Sequence, residues 1–212
     1  MQEVETLRWV LGELERVVGT LREKVEPEPG WPFYSQRDPR WADVPLGPDE
    51  GGGTLGSAGC AVTCAAMICT SVGCEVTPAE LNEWLCESDG FAGLPRNLLR
   101  WEKIQGFCPL VKWRGRVEWQ DRPAEVDVVR ECLQFYGPVV AQVDFDKEDR
   151  DVDEHYVVLL QDLGDDMLIA DPWDGELVGV VERYYNPEWP APKGRIARVI
   201  TGLRLLQAAA PR

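Results

Sequence analysis

Histidine is all but missing from this chain. His155 is the only one in 212 residues, so imidazole chemistry has a single possible address. The cysteines are Cys60, Cys64, Cys69, Cys74, Cys86, Cys108 and Cys132, an odd set with no Cys-x-x-Cys pair. That pattern fits neither a disulfide scaffold nor a zinc ribbon. No apolar run approaches the roughly 20 residues of a membrane span. The opening stretch MQEVETLRWVLGELERVV is charged throughout and does not read as a signal peptide. Positive charge is scarce as well, with 22 basic residues against 37 acidic ones and a net charge of −15. A nucleic-acid backbone or an anionic membrane would be repelled by such a chain. These absences predict a globular, cytoplasmic protein with reduced thiols, no cofactor, no nucleic-acid partner and no membrane span.

What is present divides at a proline-rich break. Over residues 4–25, Val4, Leu11, Val18 and Val25 fall at heptad position a, and Leu7, Leu14 and Leu21 at d. Valine at a with leucine at d favours a parallel two-stranded coiled coil. A homo-oligomer held by this N-terminal helix is therefore expected. The alternative is a helix docked on its own domain as an inhibitory segment. Pro27, Pro29 and Pro32 cannot continue a helix, so the expected domains are residues 1–27 and 28–212.

The second domain opens on FYSQRDPRWADVPLGPDEGGGTLGSAG, which is rich in turn residues and reads as loop. Cys60–Val72 is small and apolar and predicts a buried helix ended by Gly73. Thr77, Pro78 and Glu80 spell a capping box at the start of a second helix. Further helices are expected near Asn97–Ile104 and over Glu125–Tyr136. Val139–Phe145, His155–Leu163, Met167–Asp171, Leu177–Val181 and Arg195–Leu206 predict strands. Helices first and strands second indicate an α+β fold with an antiparallel sheet.

Three features combine into chemistry. Cys60 stands at a helix start, where it is either a small core residue or a nucleophile whose thiolate the helix N-terminus favours. His155 begins a strand, and Asp171 ends the next predicted one. Antiparallel neighbours joined by a short turn bring those two ends together. A carboxylate on one ring nitrogen orients an imidazole whose other nitrogen serves a thiol. The Cys60 backbone N–H and the Gln36 side-chain amide supply candidate oxyanion donors. Cys64, one turn on, reads as core. DFDKEDRDVDEH lacks the central glycine and terminal glutamate of a calcium loop, and the cysteine spacings do not suit zinc. The tryptophans, among them Trp41, Trp113, Trp119, Trp173 and Trp189, read as core or cleft walls.

From about Pro32 to Leu206 the chain resembles the stand-alone papain-like cysteine peptidases of bacteria and their phages, relatives of the bacteriocin-processing peptidases that cut after double-glycine leaders. FYSQRDPRWADVPLG, GSAGCAVTCAAM, VTPAELNEWL, GPVVAQVD, HYVVLLQ and LIADPWDG carry the resemblance. It implies a papain-like fold, Cys60 as nucleophile, His155 as general base and acid, Asp171 as orienting residue and Gln36 in the oxyanion hole. Ala61 stands where the family often has glycine. The implied activity is hydrolysis of peptide bonds, with the peptides of peptidoglycan as a substrate variant. A non-catalytic oligomeric binding or assembly protein on the same scaffold is the alternative.

Overall fold

A computed structural model describes residues 31–119, 122–144, 155–185 and 194–208. The fold belongs to the unit Pro32–Arg212, the second of two into which the chain divides. The heptad helix expected over residues 1–27, its self-association, Trp189 and nearly all of the DFDKEDRDVDEH loop lie outside the described residues.

The unit combines helices with an antiparallel sheet, as the element pattern predicts. Helix α1 (Leu55–Ala58) is a single turn capped by Thr54. Helix α2 (Cys60–Ser71) follows after Gly59 alone. A Cβ on Gly59 would stand 2.4 Å from the Leu55 carbonyl oxygen, so only glycine lets one helix turn straight into the next. Val62 through Cys69 of α2 are all buried, which explains the absence of a polar stripe in its sequence. Gly73, at φ 87°, ends α2 in a Schellman motif: its N–H bonds the Thr70 carbonyl and the Cys74 N–H bonds that of Cys69, each at 3.0 Å. Helix α3 (Pro78–Glu87) starts with the expected capping box, the Thr77 N–H donating to Glu80 Oε2 at 2.9 Å.

Two short strands, β1 (Phe91–Ala92) and β2 (Leu98–Leu99), pair with each other. A 3-10 turn at Trp101–Lys103 runs into helix α4 (Ile104–Phe107). Then come β3 (Val111–Glu118), helix α5 (Val126–Tyr136), β4 (Val139–Val143), β5 (His155–Asp162), β6 (Met167–Asp171), β7 (Glu176–Gly179), helix α6 (Val180–Tyr184), helix α7 (Ile196–Val199) and β8 (Ile200–Ala208). The main sheet has the order β3-β8-β4-β5-β6-β7, antiparallel throughout. One of its faces packs Val139, Ala141, Val157, Leu159, Ile169 and Leu203 against Val129 of α5 in a single core. Helix α2 lies against β5, and the Cys64 thiol donates to the Tyr156 carbonyl at 3.3 Å.

Four expectations change. Of Asn97–Ile104 only Trp101–Ile104 is helical, as the 3-10 turn running into α4, while Leu98–Leu99 forms β2. The strand expected to Val181 stops at Gly179, and Val180 and Val181 begin α6. The first part of Arg195–Leu206 is helical, and β8 begins only at Ile200. Valine and isoleucine suit either state when both faces of the segment are buried, so periodicity cannot separate them. Strand β3 was not expected at all. Its Lys112, Arg114 and Arg116 look like loop, yet alternating exposed charges are how an edge strand avoids pairing with another chain.

Candidate functional site

Pairing in the sheet brings His155 and Asp171 together. Val158 is opposite Ala170 in the β5–β6 register. One step further Val157 faces Asp171, and His155 is then the diagonal neighbour of Asp171 on the same face. His155 Nε2 lies 2.9 Å from Asp171 Oδ1. Both side chains are buried, Asp171 completely.

Asp171 is an anion anchored on every side. The Trp173 backbone N–H donates to Oδ1 at 2.9 Å. Arg183 Nη1 donates to Oδ2 at 2.8 Å, and the Tyr184 hydroxyl donates to the same oxygen. Burial opposes ionisation, but the bonds from His155, Tyr184 and the Trp173 N–H outweigh it and hold the carboxyl at about 2. Arg183 is itself held by Asp174 and Glu176. Sequence reasoning missed Arg183 and Tyr184. The stretch VERYY gives no sign of them, because it takes the turn from β7 into α6 to aim them back at β6.

His155 joins Asp171 to Cys60. Burial lowers the affinity of its ring for a proton, while hydrogen bonds to Asp171 and to the Cys60 side chain raise it, bringing the pKa from 6.5 up to about 9. With Nε2 on Asp171, the Cys60 contact falls to Nδ1. The sulfur thus sits between the His155 ring and the N-terminus of α2. Cys64 is held strongly as the thiol, first by burial and then by the nearness of Cys60. Burial likewise raises Cys69, Cys86 and Cys132, and raises Cys74 to about 11.

Gln36 is buried and lines the same cleft. Its backbone N–H donates to the Pro172 carbonyl at 2.6 Å, which ties its loop to the turn after Asp171. Its side-chain Nε2 donates to the Gly56 carbonyl at 3.1 Å. A primary amide carries two N–H groups, so a second one remains. The Cys60 backbone N–H, first in its helix, has no acceptor in the ladder of α2. Ser35 reinforces the join, its hydroxyl donating to the Trp173 carbonyl at 3.2 Å. Gln36, Cys60 and His155 all border one cleft of about 540 Å³, with Trp101, Tyr156 and Trp173 among its walls.

Of the tryptophans read as core or cleft wall, Trp41 and Trp119 are buried and Trp173 borders the cleft. Among the described residues no helix is long and apolar enough to cross a membrane. Nor, among them, is any group of three or more His, Cys, Asp and Glu side chains placed to hold a metal ion.

No protein-family model matches the chain, and no curated protein does. Among solved structures it is similar to a candidate C39-like peptidase from Bacillus anthracis. The identity is 16% and the TM-score 0.47, over 86% of this chain and 98% of that one. A likeness at that level assigns nothing to this chain, so the chemistry has to come from the site itself.

Proposed function

We propose that this protein is a papain-like thiol hydrolase that cleaves peptide (amide) bonds through an acyl-enzyme on Cys60. The observation that supports this most is His155, hydrogen-bonded on one side to a buried, anchored Asp171 and on the other to a cysteine at a helix start. A satisfied structural histidine needs no cysteine, and a core cysteine needs no imidazole.

In the proposed reaction the Cys60 thiolate attacks the carbonyl carbon, forming a C–S bond and an oxyanion. The Cys60 N–H and the free N–H of Gln36 donate to that oxygen. Protonated His155 gives its proton to the leaving nitrogen and the C–N bond breaks. Neutral His155 then takes a proton from water, whose oxygen attacks the thioester. The C–S bond breaks, the acid product leaves, and the thiolate–imidazolium pair is restored. Asp171 stays ionised throughout and fixes the ring.

Selective alkylation tests this. Iodoacetamide at mildly acidic pH should label Cys60 first, because burial holds Cys64, Cys69, Cys74, Cys86 and Cys132 as thiols. Cys60→Ala should abolish hydrolysis of a mixed peptide pool while leaving the thermal melt close to that of the parent. Uniform labelling across the thiols, with no Cys60-dependent hydrolysis, would support a binding protein instead.

A further inference from the structure

Among the described residues the cleft carries charge of one sign. The chain has 37 acidic residues, yet none of the described carboxylates borders the cleft, whereas Arg116 and Arg204 both do. These two arginines are direct cross-strand partners in the β3–β8 register. Like charges placed opposite one another on a sheet face are destabilising. Among the described residues Glu118 is the anion paired with both arginines. Glu118 Oε1 lies 3.0 Å from Arg204 Nη1 but 3.7 Å from Arg116 Nε, and the longer distance is not a hydrogen bond.

The two arginines differ in kind. Arg204 is buried, 6% exposed. Its Nη2 donates to Gln142 Oε1 at 2.9 Å and to the Tyr156 hydroxyl at 3.1 Å, and its Nη1 donates to the Leu203 carbonyl at 3.2 Å. It is a fixed cation in the cleft wall. The Arg116 side chain is 68% exposed, and its guanidinium has no hydrogen bond among the described residues. It stands over the fixed charge with its donor fork unused.

We propose that Arg116, backed by Arg204, is a carboxylate-accepting subsite, and that the substrate is a peptide with an aspartate or glutamate side chain near the bond that is cut. This rests on the thiol-hydrolase reading for the location of that bond. A guanidinium fork matches a carboxylate with two parallel hydrogen bonds, and a second cation behind it strengthens the pull. The chain as a whole, at −15, should repel such a peptide. A preference for acid therefore has to come from the cleft.

The test measures binding separately from turnover. Two fluorescein-labelled peptide pools, matched except that one has glutamate wherever the other has glutamine, are titrated by anisotropy into the full-length Cys60→Ala protein. The glutamate pool should bind about tenfold tighter, the scale of one charged hydrogen-bonded contact, and the margin should shrink with added salt. Adding Arg116→Gln should reduce the preference to about twofold or less. Arg114→Gln removes the same charge two strand positions away, outside the cleft, where the side chain donates to Gln207, and should leave the preference intact. Equal binding of the two pools, or a preference that survives Arg116→Gln, overturns the subsite whether or not the enzyme is active. An Arg116-dependent preference in a protein whose Cys60 is inert would keep the subsite and discard the hydrolase.

Discussion

The single histidine makes the site directly measurable. His155 gives one imidazole resonance set in NMR, with no assignment problem. Burial by itself pulls the ring pKa below 6.5, and Asp171 and Cys60 together lift it to about 9. A displacement from 6.5 to about 9 is worth roughly 3 kcal/mol, at 1.36 kcal/mol for each tenfold change in proton affinity. Wild-type protein should titrate near pH 9. Asp171→Asn and Cys60→Ala should each lower the midpoint. In the double variant only burial remains, and the midpoint should fall below 6.5. A wild-type midpoint at or below 6.5 would refute the reasoning, since the ring would then lack the hydrogen-bonded partners that the structure gives it. The linkage to stability follows from the sign. Because the folded pKa of His155 is raised, its contribution is whole below pH 6.5 and is lost as the pH rises through about 9. Because that of Asp171 is lowered, its contribution is whole above pH 3.8 and is lost as the pH falls through about 2. Denaturant midpoints should therefore fall on the alkaline side in wild type and less so in Asp171→Asn. Hydrolysis should fall through the same alkaline range, as the leaving nitrogen loses its proton donor.

Gln36→Ala should lower kcat by roughly 10² to 10³ with little change in KM, the usual loss for one oxyanion donor; a change confined to KM would make Gln36 a substrate contact. Tyr184→Phe removes a buried hydroxyl from Asp171 Oδ2 while Arg183 Nη1 remains at 2.8 Å. It should cost about 1–2 kcal/mol in thermal or denaturant melts and move the His155 midpoint by less than Asp171→Asn does. Deleting residues 1–27 should turn a dimer or higher oligomer into a monomer by light scattering, with Cys60 labelling unchanged. A full-length monomer would sink the coiled-coil expectation, and a jump in labelling rate would favour an inhibitory segment.

Local chemistry explains what was legible in the sequence. The capping box at Thr77, the stop at Gly137 after α5 and the apolar, valine-rich runs of β4 to β6 are contacts or compositions within a few residues, and so are written in the chain itself. The adjacency of His155 and Asp171 was also accessible, because two strands joined by a short turn have one simple way to pair. The sequence by itself thus determined the α+β class, the helix that presents Cys60 and the strand ends that carry the candidate base and its partner. Tertiary structure decided the rest. Val180–Tyr184 and Ile196–Val199 carry enough valine, isoleucine and tyrosine for either state, and packing of Val180, Val181, Tyr184, Ile196 and Val199 into the core selected helix. Arg183 and Tyr184 became partners of Asp171 only because α6 folds back over β6. Arg116 and Arg204 lie 88 positions apart in the numbering, and no local pattern links them. Only the β3–β8 register places them across from each other on one wall of the cleft, because long-range strand pairing depends on the whole sheet rather than on either strand alone.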